Sequence, residues 1–596
     1  MAKPGSTLVY ATLFAAANVA SAQNVSFSIP DGYAGLENTL RRASLTLSLV
    51  DDDEQNAQDI VAAARADYRR LLTGLYAKGY YGGSVSILID GREAARIAPL
   101  DAPASVENVQ LIVAPGPRFE FGNTEIRPLA PETELPEGFA PGALAFAEVV
   151  RDATTAAIMG WRDLGYAKAE VSAQSIRAVH NSERLDVAIA IDSGPKLSFG
   201  TLQPTGNLDV RSARIIEIAG LPTGETFSPA ELDRATARLR RTGAFSSVAL
   251  LEAEDYSVDH ALQIEAQVSE EQPRRFGFGV EYSTTDGLSL SSYWMHRNFF
   301  GGAENLRIEG DISGLTGETG GTDYILAADF KRPATLHPDN DFLVGAELMR
   351  LDEPDYVLDQ ASFEIGFARQ VNPQRQAAGR IGFVTAHVED DLGTRNYQLL
   401  TFPIEASEDR RDNPFDAQSG AYLSLELTPF LGFGDVGSGA RTYADARYYK
   451  TFGDTRTVTF AARGQIGSIL NAALGDAPSD YLFYSGGGDT VRGQPYQSLN
   501  VDLGGGNSTG GLSFAATSLE ARIAVTEKIG VVGFYDAGFV GETAMPFEDG
   551  DWHAGAGLGV RYKTSLGPIR LDLATPASGS NAGQSLSIYV GIGQAF

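Results

Sequence analysis

The sequence predicts α+β modules followed by an all-β transmembrane barrel of about 16 strands. Three observations carry that expectation. A marker recurs through the first half at a nearly constant step. The second half alternates apolar and polar residues in period two. The chain opens with a stretch shaped like a secretory leader.

The leader comes first. MAKPGSTLVYATLFAAANVASA places one lysine ahead of an apolar run from Leu8 to Ala17, then gives Ala20-Ser21-Ala22 as a small-x-small cleavage site. Residues 1–22 are therefore expected to be a signal peptide. No later run of 18 apolar residues follows, so a membrane location would require a barrel. At 596 residues the chain exceeds one ordinary domain. Its 47 basic residues stand against 76 acidic ones, a formal charge of −29, which argues against a nucleic-acid backbone as partner. Cysteine is absent, which excludes disulfides, thiolate metal sites and cysteine nucleophiles.

The repeats come next. GPRFEFG, GPKLSFG and QPRRFGFG carry prolines at 117, 195 and 273, a step of about 78 residues. A second marker is interleaved with them: LYAKGYYGGSV, WRDLGYAKAEV and LRRTGAFSSVAL, with glycines at 79, 165 and 243. The third unit shows the expected internal order of strand, helix, helix, strand, strand. Its second helix opens on Ser228, Pro229 and Glu231 as a capping box, and Leu232, Ala235 and Leu239 form the apolar stripe. Gly243 ends it, and Leu262, Ile264, Ala266 and Val268 then alternate as a strand. The same order is expected of all three units. In the first, the acidic run Asp51–Glu54 lengthens the loop between helices, and a long helix is expected over 57–78. Three α+β units that each place an aromatic soon after the helix-stopping glycine resemble POTRA domains, periplasmic modules that precede outer-membrane barrels. The expected division is 23–116, 117–194 and 195–272 for the modules and 273–596 for the barrel.

In the second half, RFGFGVEYS sets Phe276, Phe278, Val280 and Tyr282 opposite Arg275, Gly277, Gly279 and Glu281. SLEARIAV opposes Leu519, Ala521, Ile523 and Val525 to Glu520 and Arg522. GAGLGVRY and PIRLDLA put Arg561, Arg570 and Asp572 on their polar faces. In the closing SLSIYVGIGQAF, Leu586, Ile588, Val590, Ile592 and Phe596 share one parity. The closing aromatic resembles the C-terminal signal by which outer-membrane barrels are recognised during assembly. Phe596 would carry that role.

Catalysis finds little support. The six histidines, at 180, 260, 296, 337, 387 and 553, fall in no H-E-x-x-H, and no G-x-S-x-G supplies a nucleophile elbow. His296 and His387 lie in expected strands without a serine or acid that completes a triad. GAGLGV at Gly555 has no following helix, so it is no dinucleotide loop. No enzyme activity, metal or cofactor is expected.

GGGDTVRGQPYQSL, Gly486 to Leu499, stands apart: one arginine among glycines, between two strand patterns. It resembles the VRG-containing loop of the BamA/TamA superfamily, which folds back into the barrel lumen. VVGFYDAGFVG is similar to that superfamily's F-x-D-x-G strand and supplies Asp536, and RRDNPFDAQSG, from Arg410, resembles another of its barrel signatures. Val491, Gly493 and Tyr496 complete the loop motif. Gln494 stands where an aromatic is common. The resemblance implies that Arg492 crosses the lumen to Asp536 as a latch, and that charge reversal at both positions restores what either single reversal loses.

Function follows from the same resemblance. Five periplasmic modules mark BamA-like assembly factors, two mark two-partner-secretion transporters, and three fit the TamA side of the family. The resemblance thus implies an assembly or translocation factor for autotransporters and other barrel proteins. It also implies a TamB-like inner-membrane-anchored partner, unfolded outer-membrane protein substrates and contact with outer-membrane lipid. A two-partner-secretion pore and a passive porin are the alternatives, and a lumenal lipase using His296 and His387 is a third. The closing strands each carry glycines on alternate positions, Gly277 and Gly279 in the first, Gly591 and Gly593 in the last. Glycine weakens strand pairing, so this seam is expected to part laterally.

Overall fold

The computed structural model describes residues 24–49, 56–98, 101–284, 287–317, 320–453, 458–564, 567–579, 582–592 and 594–596. The expected leader, the run Asp51–Glu54 and Gly593 lie outside the described residues.

Three small sheets precede the barrel, and their strand order repeats. In the first, Asn24–Ser28 pairs in parallel with Asn108–Ala114, which pairs antiparallel with Ser84–Ile89. The second places Arg184–Asp192 between Glu120–Arg127 and Glu170–Val179, and the third places Ala261–Glu270 centrally. Each sheet thus carries the unit's last strand between its first and a middle one. The first unit holds the long helix, Ala57–Ala77, whose Asn56 side chain accepts the Asp59 N–H. That helix buries Ile60, Val61, Leu71 and Leu75 against Ile87, Val109 and Leu111 of the sheet. The third unit carries Ser212–Ala219 and Pro229–Arg241, with Pro229 at the first helical position.

The second unit departs from the expected order. Among the described residues it has one full helix, Ala147–Asp163, and residues 128–146 form turns instead of a first helix. Prolines at 128, 131, 136 and 141 explain this, since each removes a backbone donor and constrains the residue before it.

The chain divides into two compact units. One holds the first two sheets, and the other holds the barrel with residues 201–222 and 232–253. Within the latter, Arg238 grips Asp339 of a barrel turn through two hydrogen bonds, 2.7 and 3.0 Å.

The barrel is antiparallel and closed. Its strands are β1 (Arg274–Ser283), β2 (Gly287–His296), β3 (Asn305–Leu315), β4 (Asp323–Arg332), β5 (Asn340–Asp352), β6 (Tyr356–Asn372) and β7 (Arg375–Asp390). Strand β8 runs Gly393–Thr401 and resumes at Ile404–Asp409; both pieces pair with the same two neighbours. Pro403 interrupts it, because proline offers no ladder donor. There follow β9 (Gly420–Gly434), β10 (Gly439–Phe452), β11 (Val458–Leu470), β12 (Ser513–Ala524), β13 (Ile529–Gly541), β14 (Gly550–Thr564), β15 (Gly567–Pro576) and β16 (Ser587–Ile592). Counting β8 once gives 16 strands. The apolar parity faces outward: Phe278 is 84% exposed and Leu558 72%. In water such a face would be unstable, whereas lipid accepts it, and closure satisfies the backbone.

Candidate functional site: the lumenal loop and the seam

The connection between β11 and β12, residues 471–512, folds into the barrel instead of leaving it. Its outer limb packs Leu482, Phe483 and Val501 against Leu358, Leu399 and Phe430 of the wall in a buried apolar cluster. Arg395 of β8 clasps this limb. Its guanidinium donates to the carbonyls of Gly475 and Ala477 at 2.9 and 3.0 Å and to Ser479 Oγ at 2.7 Å, and pairs with Asp390.

The inner limb brings Arg492 to the wall formed by β12–β15. Nε lies 2.8 Å from Asp536 Oδ2 and Nη2 lies 3.0 Å from Oδ1, a two-point grip on one carboxylate. Nη1 reaches Glu520 at 2.9 Å and Asp572 at 3.1 Å. The guanidinium also lies over the Phe534 ring, 3.6 Å from its centroid. Arg492 is 3% exposed, and the three carboxylates are 0–1% exposed. Two further arginines complete the group: Arg522 donates to Glu520 at 2.8 Å, and Arg561 pairs with Asp572. Three cations thus face three anions, which is how buried charge is tolerated away from water.

The sequence reading anticipated one partner for Arg492, and the structure supplies three. This changes the double-reversal argument. A carboxylate at position 492 would face Glu520 and Asp572 even with an arginine at 536, so the swap is not expected to restore the wild-type state.

Small residues let the loop lie this close. At Gly555 of β14 a Cβ would sit 1.8 Å from the Arg492 carbonyl oxygen. Gly493 has φ +93°, and its N–H donates to Tyr589 Oη at 3.0 Å. Val491 is fully buried, with its methyls beside Gly538 and Gly555. Gln494 donates to the Ala554 carbonyl at 2.7 Å. Tyr496 Oη donates to Glu353 in the β5–β6 turn at 3.2 Å.

The seam lies next to this wall. Strand β1 opposes β2 along all ten residues, yet it meets β16 only at Tyr282–Val590 and Ser283–Tyr589. One backbone bond, Thr284 N–H to the Ile588 carbonyl at 3.1 Å, and the Arg570–Glu281 pair add to it. The glycines of β1 have a second explanation. A Cβ at Gly277 would strike the Tyr293 ring and one at Gly279 the Ser291 hydroxyl, so both make room for side chains of β2. Gly591 lies beside Arg570 and Glu281. The seam is thin because of where pairing stops.

The chain end shows why. Phe596 does not continue the outward row of Val590 and Ile592. It packs on Tyr449, Ala417 and Ala461, while Arg522 donates to its carbonyl at 3.2 Å. Gln594 binds Asp416 of the Arg410–Gly420 loop at 2.9 Å and accepts from Arg561 at 2.9 Å. Gln594 and Phe596 are thereby held on the lumenal side, away from the ladder to β1.

One contact escaped the sequence reading. Ser485 Oγ lies 2.8 Å from His553 Nε2. Among the described residues no carboxylate hydrogen-bonds His553, and Ser485 is 1% exposed, so the pair ties the loop to β14. His387 lies on the outer face beside Asn396, and His296 packs on Phe299.

Comparisons with known proteins place this geometry. Residues 298–596 match the model of the Omp85 superfamily domain. The outer membrane protein assembly factor BamA of Nitratidesulfovibrio vulgaris is 23% identical over 451 residues, covering 72% of this chain and 54% of that protein. The chain therefore spans about half the length of the curated relative it matches. BamA from Haemophilus ducreyi lacking POTRA domains 1–3 shares the fold with a TM-score of 0.60 at 16% identity, over 79% of this chain and 100% of that one. CdiB from Acinetobacter baumannii does so at 0.52 and 12% identity, over 80% and 89%.

Proposed function

The chain belongs to the Omp85 superfamily of outer-membrane barrels, and from that premise we propose that it is a TamA-like assembly factor. Residues 23–116, 117–194 and 195–272 act as three POTRA modules that receive unfolded barrel proteins, autotransporters among them. The barrel offers those substrates its β1 edge. The observation that carries this reading is the two-residue contact between β1 and β16. An edge with unfilled hydrogen-bonding groups templates an incoming strand.

The Arg492 cluster supports the same reading from the other side. A loop latched to β12–β15 keeps that wall rigid while the seam parts. The filled outer mouth favours this mechanism over a passive porin, because the apolar cap lies across the route that ions would take. A three-module chain of this kind works with a TamB-like inner-membrane-anchored partner.

Reconstitution tests the proposal. The purified full chain in liposomes should accelerate insertion of an unfolded barrel substrate over liposomes alone; equal rates would overturn it. Co-purification with a large inner-membrane-anchored protein separates this reading from a two-partner-secretion pore, which would instead secrete a single dedicated substrate.

A further inference from the structure

Two lateral rows of side chains cross the lipid face of β1–β8. In the upper row Val280 opposes Leu290, which opposes Ile312, which opposes Tyr324. The row then turns polar: Tyr324 opposes Arg350, Arg350 opposes Asp359, Asp359 opposes His387, and His387 opposes Asn396. The lower row contains several small residues, Ser292, Gly310, Ala361 and Thr385, and a Cβ at Gly310 would meet little but open space. Together the rows line a furrow of about 1050 Å³.

Geometry gives the furrow a direction. Strands of such barrels tilt by about 35–45°, so a row of directly opposed residues climbs through the bilayer. Its polar end lies at the outer ends of β5–β8: Arg350 is two residues from the end of β5, and His387 and Asn396 flank the β7–β8 turn. Its apolar end lies on the exposed Phe278 and Val280 of the seam strand. With strands about 4.8 Å apart, Arg350 and Val280 are separated by about 19 Å, close to the length of an extended myristoyl or palmitoyl chain.

We propose that this furrow binds one phospholipid with a zwitterionic head, its phosphate at Arg350, its ammonium at Asp359 and an acyl chain running to β1. The charges are complementary in order and spacing. Arg350 Nη1 lies 2.9 Å from each Asp359 oxygen, and both side chains are about half exposed, so each keeps a hydrogen-bonding edge free for lipid. A purely anionic head would meet Asp359 and Glu389 with no ammonium to answer them, while His387 is already engaged by Asn396 at 2.8 Å. An ion pair this exposed contributes little, so opening it to a head group costs little. The inference concerns a lipid held beside the seam and stands apart from whether protein substrates use that seam.

Native mass spectrometry of the detergent-solubilised full chain tests it, with phosphatidylethanolamine and phosphatidylglycerol of identical chains as probes. Wild type should retain phosphatidylethanolamine about tenfold better. Ala361→Leu with Thr385→Leu fills the furrow from the lipid side and should abolish retention of that lipid. Asp359→Asn removes the carboxylate that answers the ammonium and should bring the two lipids to parity. Heat-modifiable gel mobility verifies that each variant is folded, and two independent variants guard against one failing. Equal retention of both lipids by wild type, a preference for phosphatidylglycerol, or undiminished retention by the filled furrow would overturn the proposal.

Discussion

Between β13 and β14 thirteen consecutive residues oppose one another, from Ile529–Tyr562 to Gly541–Gly550. Between β1 and β16 two do. Both joints belong to one barrel and both use strands of alternating parity, so alternation alone does not set their strength. The difference lies on the lumenal side. Strands β12–β15 share the neutral group of three arginines and three carboxylates, each member needing the others to remain buried. At the seam the corresponding inner-face contact is Arg570 with Glu281, whose carboxylate is 55% exposed. Such a pair contributes little. The lumenal charges thus divide the wall into a part pinned by buried ion pairs and a part that lacks them.

That division can be broken at either joint. The largest effect is expected from closing the weak one. Tyr282→Cys with Val590→Cys places two thiols on directly opposed, outward-facing positions of β1 and β16. Substrate insertion should fall to background when the disulfide forms and return on reduction; full activity of the oxidised form would refute lateral opening. Next is Arg492→Ala, which strands Asp536 and leaves Glu520 and Asp572 with one arginine each. A loss of about 3–5 kcal/mol is expected, read as a lowered urea midpoint, and less where lumenal water reaches the carboxylates. Arg492→Glu combined with Asp536→Arg should remain defective in the same measurement, for the reason given by Glu520 and Asp572. A smaller effect, about 1–3 kcal/mol, is expected of Gly555→Ala, whose methyl overlaps the Arg492 carbonyl and must push the loop off β14. Smallest is Glu281→Gln at the seam, about 0–1 kcal/mol in the same titration.

Much of this was legible in the chain. Period-two alternation assigned Phe276, Phe278 and Leu519 to the lipid side and Glu520, Arg522 and Asp572 to the lumen, because side-chain direction follows parity alone. The motif likeness singled out Arg492 and Asp536. What parity does not encode is depth. Whether Glu520 or Asp572 also reaches Arg492 depends on barrel stagger, which arises from pairings across eighty residues of chain. The course of the chain end was hidden for a similar reason. Phe596 has the right parity for the outer face, but parity stops counting once the ladder ends, and Tyr449 and Arg522 then decide where the ring goes. The missing helix of the second module was readable in its prolines, though the repeat argued for it.

Amide hydrogen exchange of the reconstituted full chain compares the two joints directly, by following β13 from Val531 to Phe539 and β16 from Ser587 to Ile592. A wall fixed by the Arg492 cluster beside an open seam predicts that β13 amides exchange only on global unfolding, while those of β16 that face β1 exchange far faster, and that Arg492→Ala brings β13 toward β16. Equal protection of the two strands in the wild-type chain would contradict it.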